Sequence, residues 1–558
     1  MLHFLRIFAV GLPVLMTWFL FESLGGYPTN DDPYYGRPAQ VVAEQSRVQV
    51  YRQEGVLAAS SVAHFVIGGW VSKLIGFSYR SLFLAVIVQL WAAAGLIYLL
   101  AKDAKCAPWF CVFWAALFLF NPLCFGSAFT FMTDGPAVAW AIAAIYAFRR
   151  GITSSKLVWF IAGSMATAVA FWMRQTHILM LGFPIVTIGM QSLRRREWVE
   201  PTKSLVATIL PAALAVLLFE SGLVTGGNDQ RLGIIFPDRF DYWQLMINTY
   251  GVVILFGFLL LPILPLMLNA MRASTANFFS TAAIGSLVFT LLMFMPLVAT
   301  QGRACLTSAT GTLIQNAHLG PILLSDFDTP GRWSDMGDVT WPAIVWQLLT
   351  VASIANAGVL VFTLVDNITF SWFRSDEHHQ KLVILLSLAV TMVPAISIIL
   401  SIRTGVLDRY WMLLFPMVFA IVPELISGKR FNCRKTITFA SFLLVAQFGL
   451  SFIFVHDFLA WNQTRWKQFE RWVAAGELPE SIDGGRDMNA WYRTAEDVDT
   501  MPREGDDSGW WRGRATKALS IGPRDGWREI GKLPWNAWAT GQTHQILMLK
   551  KIEALRDF

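Results

Sequence analysis

Charged side chains are scarce in this chain. Asp, Glu, Lys and Arg make up only 15% of its 558 residues, whereas hydrophobic residues make up 55% and the mean hydropathy is +0.49. An ordinary soluble domain carries roughly 25% charged residues. A helix that crosses a bilayer needs about 20 largely apolar residues, and runs of this kind recur from Leu5 almost to Phe458. The composition therefore excludes a soluble globular protein and predicts a multispanning membrane protein.

Several signatures of soluble enzymes are also missing. The five cysteines have no metal-ligand spacing and mostly lie in or beside apolar runs, so we expect neither a disulfide framework nor a structural zinc. There is no P-loop and no strand followed by a Gly-rich turn and a helix, which argues against an ATP-driven pump and against a nucleotide-sugar donor. The net charge of +6 has the sign that basic residues at the inner ends of spans produce, so it does not imply nucleic acid.

Thirteen apolar runs are candidate spans, and they predict an all-α polytopic bundle of about 13 transmembrane helices. They are Leu5 to Leu24, Leu82 to Ala101, Trp109 to Phe125, Gly135 to Phe148, Leu157 to Met173, Ile178 to Met190, Ser204 to Glu220, Met246 to Leu268, Phe278 to Ala299, Trp341 to Val365, Leu382 to Ser401, Tyr410 to Leu425 and Ile437 to Val455. The first has the shape of a signal peptide, but the many later spans favour a retained anchor.

One further segment, Val56 to Phe77, decides the orientation. It is long enough to span but contains His64 and Lys73. If it spans, three basic clusters fall outside, against the rule that short cytoplasmic loops collect Lys and Arg; if it lies along the outer surface as an interfacial helix, all three fall inside. The clusters are Arg149-Arg150, Arg194-Arg195-Arg196 and Lys429-Arg430. We therefore interpret the segment as interfacial.

This orientation brings the polar segments together on the outer side. They are Asp31-Asp32, Asp134, Arg174 to His177, Arg303 to Thr340, Arg403 to Arg409 and the tail after His456. From Trp461 onward the tail is rich in Trp, Arg, Asp, Glu and Gly and contains no span. We predict a transmembrane catalytic domain at 1–456, with the acidic pair in a first outer loop at 27–80, and a small outer-face domain at 457–558.

The acidic residues allow two interpretations. Asp31 and Asp32 lie in a turn with Asn and Pro, where they are either simply solvated or supply a general base for an acceptor hydroxyl. Adjacent acids can raise one another's pKa toward a useful value. Asp134 precedes Gly135-Pro136, so it either caps a helix or is a second carboxylate that positions the acceptor or the base.

The basic and aromatic residues also allow two interpretations. Arg174, Gln175 and His177 interrupt two apolar runs at a depth where polar groups are costly and usually mark a site. Arg409 and Tyr410 open the twelfth span. An Arg side chain offers a planar donor fork that suits a phosphate, which Arg403 could also bind. The alternatives are a hairpin turn that reaches lipid headgroups and an aromatic belt with a snorkelling base.

In their order along the chain, these motifs resemble the GT-C superfamily of glycosyltransferases. The layout is similar to the family 39 type, which includes protein O-mannosyltransferases and the lipid A aminoarabinose transferase. The tail segments Leu459 to Asn462 and Ile482 to Trp491 are similar to bacterial members of that group. The resemblance implies a GT-C type bundle with interfacial helices in the first outer loop.

The resemblance also implies roles for single residues. The family's catalytic acid falls on Asp31 or Asp32 and its second outer acid on Asp134, while the Arg-Tyr of the late span falls on Arg409 and Tyr410. Met173 to His177 further resembles the Arg-Gln-Thr of the glucosyltransferase that uses dolichyl-phosphate-glucose, which places Arg174 and Gln175 beside the donor. Asp-Asp stands where many relatives have Asp-Glu, so the identity of the base is open.

The activity that the resemblance implies is inverting transfer of a sugar from a polyprenyl-phosphate carrier to an acceptor hydroxyl. The expected partners are this donor, a lipid, glycan or protein acceptor and membrane lipids, with no nucleic acid. The expected place is a bacterial inner membrane, with the site facing the periplasm. Family 39 relatives mostly work without a nucleotide and often without metal, so we expect arginines to stabilise the departing phosphate and leave a divalent metal open.

Two other functions compete with this one. A flippase for a lipid-linked sugar would call for ionisable residues near the bilayer midplane and often internal repeats, and the sequence shows neither. An O-antigen ligase or polymerase type enzyme relies on arginines in a large outer loop. The loop from Gln301 to Thr340 has only Arg303 and Arg332, which weakens that alternative.

Overall fold

The structure, a computed structural model, describes residues 2–29, 31–48, 61–196, 199–221, 242–272, 285–290, 292–293, 343–372, 376–400, 408–427, 434–492 and 515–552. The loop at 301–340, Arg403, the cluster Lys429-Arg430 and most of the expected span Phe278 to Ala299 lie outside these ranges.

Helices form most of the described chain. In order they are α1 Leu2–Leu20, α2 Asp32–Gln45, α3 Val62–Ile75, α4 Tyr79–Asp103, α5 Pro108–Phe120, α6 Pro122–Ser127, α7 Asp134–Ser154, α8 Leu157–Phe171, a 3-10 helix Gln175–Leu181, α9 Gly182–Arg195, α10 Val199–Glu220, α11 Tyr242–Leu259, α12 Leu264–Arg272, α13 Ala343–Trp372, α14 Asp376–Leu400, a 3-10 helix Asp408–Leu414, α15 Phe415–Ile426, α16 Arg434–Ala474 and α17 Arg486–Tyr492.

Many of these helices are long and apolar enough to cross a membrane. Within the described ranges there are eight, and nine if the bent pair Gly251–Leu259 and Leu261–Asn269 forms one span. The expected helical, multispanning architecture is therefore confirmed, while the count of about thirteen stays a prediction.

Helices α1 and α4 run antiparallel along their whole length. At one end the His3 ring contacts the Tyr98 hydroxyl at 2.7 Å, and at the other Glu22 pairs with Arg80 at 3.0 Å. The chain therefore leaves α1 and enters α4 at the same end of the bundle. Helices α2 and α3 lie in the chain between these two ends, and the interfacial interpretation of Val56 to Phe77 stays a prediction.

Helix α3 packs on the loops at that same end. The backbone N–H of Ala63 donates to Trp172 O at 3.4 Å, and the buried ring of His64 bonds through Nε2 to the carbonyl of Phe131 at 2.9 Å. These carbonyls belong to the chain after α8 and before α7. Helix α3 therefore covers the ends of neighbouring helices.

Two expected spans are broken in the structure. The run Trp109 to Phe125 divides into α5 and α6 at Asn121, whose side chain accepts hydrogen bonds from the N–H groups of Leu123 and Cys124, both at 3.1 Å. Pro122 starts the second helix, where its missing N–H costs nothing. The run Met246 to Leu268 bends by 58° between α11 and α12, next to Pro262, which cannot donate a helical hydrogen bond.

A second group of charges lies at the opposite end of the bundle. Arg149 forms a buried ion pair with Glu424 at 2.5 Å, and Arg150 lies 3.5 Å from Asp103, the last residue of α4. The basic pair thus lies at the far end of α4 from Arg80. This is the relative placement that the charge rule for spans requires.

The C-terminal part combines a long helix with a small sheet. Helix α16 has 41 residues, which corresponds to about 60 Å and exceeds the roughly 30 Å of a bilayer core. It runs without a break through the predicted boundary at 456/457, and this boundary stays a prediction. The strands β1 Ile482–Asp483, β2 Lys517–Ser520, β3 Trp527–Ala537 and β4 Gln542–Lys551 form a sheet of order β1-β2-β4-β3, in which only the β1–β2 pairing is parallel.

The turn between β3 and β4 is fixed to α16 by a buried carboxylate. Asp457 accepts hydrogen bonds from the backbone N–H groups of Trp538 and Ala539 at 2.7 and 2.9 Å. His456 stacks on the Trp538 ring at 3.4 Å and contacts Asp457 at 2.9 Å. The sheet is thereby attached to the helix bundle at the end that carries the first outer loop.

Candidate active site

Asp31 lies opposite an arginine from a distant part of the chain. Its Oδ2 is 3.6 Å from Nη2 of Arg409, and both side chains are 15% exposed. Arg409 belongs to the 3-10 helix that precedes α15, so the pair joins the first outer loop to the start of a late span. Partial exposure leaves both groups accessible to a substrate.

Asp32 has a different environment, although it is the next residue. It is fully buried, and its Oδ2 accepts from the N–H and hydroxyl of Thr29 at 3.1 and 3.0 Å. Its Oδ1 accepts from the N–H of Phe131 at 2.9 Å. Burial raises the pKa of Asp32 to about 8, although the three hydrogen bonds act in the opposite direction.

Asp32 and His64 together fix the chain just before α7. Asp32 binds the N–H of Phe131, and His64 binds the carbonyl of the same residue and stacks on its ring at 4.0 Å. Three residues later the chain reaches Asp134. The buried member of the acidic pair therefore determines where the second acid stands.

Asp134 forms an ion pair with Arg174 and is the first residue of α7, not its N-cap. Its Oδ1 lies 2.7 Å from Nη2 of Arg174, and its Oδ2 is buried without a hydrogen-bond partner in the described part of the chain. Thr133 is the N-cap residue but makes no side-chain cap bond. Its hydroxyl instead accepts from Nε of Arg174 at 3.3 Å. Arg174 is therefore held at the start of α7.

Two tyrosines connect the two ion pairs. The Tyr410 ring has the guanidinium of Arg174 at 5.2 Å and that of Arg409 at 5.7 Å from its centroid, both within cation–π range. Tyr35 is buried next to all four charges: burial and Asp31 raise its pKa, Arg174 and Arg409 act in the opposite direction, and Asp134 raises it again. The pairs Asp31–Arg409 and Asp134–Arg174 thus form one cluster.

The other expected site residues have more varied positions. His177 is buried, its backbone N–H donates to Arg174 O at 3.0 Å, and neither ring nitrogen has a hydrogen-bond partner among the described residues. Gln175 is half-buried and begins the 3-10 helix after Arg174. Arg403 lies outside the described residues. Within the described ranges, no group of three His, Cys, Asp or Glu side chains could hold a metal ion.

Sequence reasoning missed two residues of this region. Tyr35 was part of the acidic loop but had no assigned role, and His64 served only as a reason to doubt a span. Tyr35 follows Asp31 by four residues, a spacing that places two side chains on the same face of a helix, so the sequence indicates that Tyr35 lies near Asp31. His64 offered no comparable signal, because its partner is a backbone carbonyl.

The acidic residues of the tail segment Ile482 to Trp491 are buried inside the protein. Asp483 is buried and bonds to Arg524 and to the amide of Asn489, both at 3.1 Å. Asp487 is buried against Arg465 at 2.5 Å. These groups bind one another, so they hold the C-terminal part together.

Three solved structures are similar to this chain in architecture. ArnT from Cupriavidus metallidurans in the apo state matches at 12% identity with a TM-score of 0.40 and covers 98% of both chains. The same protein bound to undecaprenyl phosphate matches at 12% identity with a TM-score of 0.42, over 97% of both chains. The archaeal oligosaccharyltransferase AglB from Archaeoglobus fulgidus, in complex with an inhibitory peptide and a dolichol-phosphate, matches at 13% identity with a TM-score of 0.43, over 85% of this chain and 58% of that chain.

These neighbours are glycosyltransferases of the GT-C superfamily, the one that the sequence motifs resemble. No family model matches the chain, and the comparison with curated proteins finds no match. At these identities and TM-scores the likeness carries no residue role over to this chain. Membership of family 39 and a bacterial origin stay predictions.

Proposed function

We propose that this protein is a glycosyltransferase that moves a sugar from a polyprenyl-phosphate carrier to an acceptor hydroxyl. The observation that supports this best is the cluster of two carboxylates, each facing an arginine, at the end of the bundle covered by the first outer loop. A carboxylate can take a proton from a hydroxyl, and a guanidinium can bind a phosphate through its planar donor fork. Sugar transfer from a lipid phosphate can use both groups side by side.

Asp31 is the base in this proposal. It is partly exposed, whereas both oxygens of Asp32 already accept hydrogen bonds from the protein. The 3.6 Å distance between Asp31 and Arg409 is longer than the usual 2.7–2.9 Å of a charge-assisted hydrogen bond, so a phosphate can compete for the guanidinium.

The reaction then follows in a single displacement. Asp31 takes the proton of the acceptor hydroxyl while the hydroxyl oxygen attacks the anomeric carbon from the side opposite the phosphate. The bond between that carbon and the phosphate oxygen breaks, and the polyprenyl phosphate departs with the bonding electron pair. Arg409 and Arg174 stabilise its negative charge, and the configuration at the anomeric carbon inverts.

We further propose that the site faces the outside of a bacterial inner membrane. The basic pair Arg149-Arg150 lies at the opposite end of the bundle, and basic residues collect at cytoplasmic ends. In a variant whose five native cysteines are replaced by Ser, a single cysteine introduced at Arg37, in the loop helix α2, should react with a membrane-impermeant thiol reagent added to intact cells. A cysteine introduced at Ser154, at the end of α7, should not react.

The test of transfer uses the full-length protein in proteoliposomes supplied with polyprenyl-phosphate sugars and candidate acceptors. Glycosidic bond formation is measured by the mass shift of the acceptor. The double substitution of Asp31 and Asp32 by Ala should abolish transfer without loss of expression. Asp103→Asn, which removes an arginine-paired carboxylate at the opposite end, should leave transfer intact.

Two outcomes would contradict the proposal. Unchanged transfer in the double variant would exclude the acidic pair from the chemistry. Movement of the lipid-linked sugar across the bilayer without glycosidic bond formation would identify a flippase instead.

A further inference from the structure

The acidic loop is bonded to a part of the chain far away in sequence. The carbonyl of Pro28 accepts two hydrogen bonds, from Nδ2 of Asn462 at 3.0 Å and from Nε1 of Trp466 at 3.1 Å. Both donors are buried and lie one helical turn apart on α16, beyond its apolar part. A carbonyl oxygen has two lone pairs and can accept both donors, and the single N–H of Trp466 is shared between this carbonyl and Asp487.

The orientation of the two donors is itself fixed by a buried ion pair. Nη2 of Arg465 donates to Oδ1 of Asn462 at 2.8 Å, which turns the amide nitrogen toward Pro28. The same Nη2 lies 2.5 Å from Oδ2 of Asp487, and this oxygen also accepts from Nε1 of Trp466 at 3.1 Å. Removing one partner of a fully buried pair is costly, so the network holds a single arrangement.

The held carbonyl is adjacent to the residues that form the site. Pro28 precedes Thr29, which donates twice to Asp32, and the N–H of Asp32 donates back to Thr29 O at 2.8 Å. Asp31 lies inside this turn. Its position opposite Arg409 is therefore determined from both sides of the turn, by Asp32 on one side and by the Pro28 carbonyl on the other.

Aromatic packing supports the same attachment. Tyr27 stacks on Trp466 with ring centroids 5.7 Å apart and an angle of 17°, and its hydroxyl donates to Glu470 at 3.2 Å. Ala490 of α17 packs against Tyr34 of α2. The contacts between α16, α17 and the loop thus extend along the loop from Tyr27 to Tyr34.

We propose that Asn462 and Trp466 are positioning residues of the transfer site, which hold the Pro28 carbonyl so that Asp31 faces Arg409. This inference rests on the proposed glycosyltransferase function. Neither residue touches the reacting atoms. A misplacement of about 1 Å of a catalytic group can cost about a hundredfold in rate, so loss of the attachment acts on the chemical step.

The test compares Asn462→Ala with Asn356→Ala in the full-length protein. Asn356 is a matched control, because its buried amide also donates to a backbone carbonyl, that of Gly257 at 2.8 Å, but in the helix bundle. We expect about a tenfold or larger fall in kcat for Asn462→Ala with little change in the KM for a polyprenyl-phosphate sugar. Asn356→Ala should keep kcat, although both variants lower the unfolding temperature.

A second measurement does not depend on activity. Hydrogen exchange of the backbone amides of Asp31, Asp32 and residues 34–36 should accelerate in Asn462→Ala and in Trp466→Phe, which removes the indole N–H together with part of the ring, and should stay at the wild-type rate in Asn356→Ala. Unchanged exchange in the first two variants, or a fall in kcat no larger than that of the control, would overturn the inference. If the wild-type protein forms no glycosidic bond, the proposed function fails, and the exchange rates still show whether the two residues hold the loop.

Discussion

Asp31 and Asp32 are adjacent in the chain, yet their carboxylates have opposite environments. Asp31 is partly exposed 3.6 Å from Arg409, whereas Asp32 is fully buried and accepts three hydrogen bonds. Although the two residues are neighbours at the start of α2, one side chain faces Arg409 and the other faces Thr29 and Phe131. This difference gives each residue its own expected behaviour on substitution.

Replacing Asp31 and Asp32 by Asn, one at a time, should distinguish a catalytic role from a structural role. Asp31→Asn should lower kcat by about 10²–10⁴-fold with little change in unfolding temperature, because it removes a general base at a partly exposed position. Asp32→Asn should change the unfolding temperature and keep measurable transfer. If Asp32→Asn is as inactive as Asp31→Asn while remaining folded, the base has been assigned to the wrong residue.

The stability of the protein should depend on the protonation of Asp32. Burial raises its pKa to about 8, compared with about 3.9 for an unperturbed aspartate. Its contribution is therefore fully present below the ordinary value and is lost as the pH rises through about 8. The unfolding temperature in detergent should fall between roughly pH 4 and pH 8 in the wild-type protein, and fall less in Asp32→Asn. Equal slopes for the two proteins would argue against the raised pKa.

The ion pair between Asp134 and Arg174 should show energetic coupling. Each of Asp134→Asn and Arg174→Gln leaves one polar partner behind, and the double variant leaves neither. A double-mutant cycle on the free energy of unfolding should give a coupling of roughly 0.5–3 kcal/mol, the range for groups in one ion-pair network. Additive effects would show that the 2.7 Å contact contributes nothing to stability.

The attachment of the sheet should depend on Asp457. Asp457→Ala leaves the partly buried N–H groups of Trp538 and Ala539 without their acceptor, and a lost hydrogen bond costs about 1 kcal/mol. We expect faster proteolysis of the turn between β3 and β4 in this variant. Asp525→Ala, at an exposed position near the start of β3, should be cleaved at the wild-type rate.

Helix α4 illustrates what the sequence predicts well. The apolar run Leu82 to Ala101 lies inside the observed Tyr79–Asp103, because an uninterrupted run of this length has few alternatives to a helix. Hydropathy alone did not predict the breaks at Asn121 and Leu260, since the residues around both are apolar. The local signals were Pro122 and Pro262, whose effect depends on whether the freed carbonyls find other donors.

The candidate site was predicted in its residue types but not in its pairing. The charges of the loops predict that one end of the bundle carries Asp31, Asp134, Arg174 and Arg409. The pairing of Asp31 with Arg409, and of Asp134 with Arg174, depends on how the 3-10 helices at 175–181 and 408–414 approach α7. Such contacts between distant segments leave no local pattern in the sequence.

The attachment of Pro28 to Asn462 also sets an order of events during synthesis. The two residues are 434 positions apart, and every intervening helix is made before the second one exists. The Pro28 carbonyl therefore lacks its two donors on α16 while the rest of the bundle inserts. The buried pair Arg465–Asp487 then forms beside this contact, after Asp487 has been synthesised. A nascent chain that stops short of α17 contains every charged residue of the candidate site but cannot complete the contacts that hold Asp31 in place.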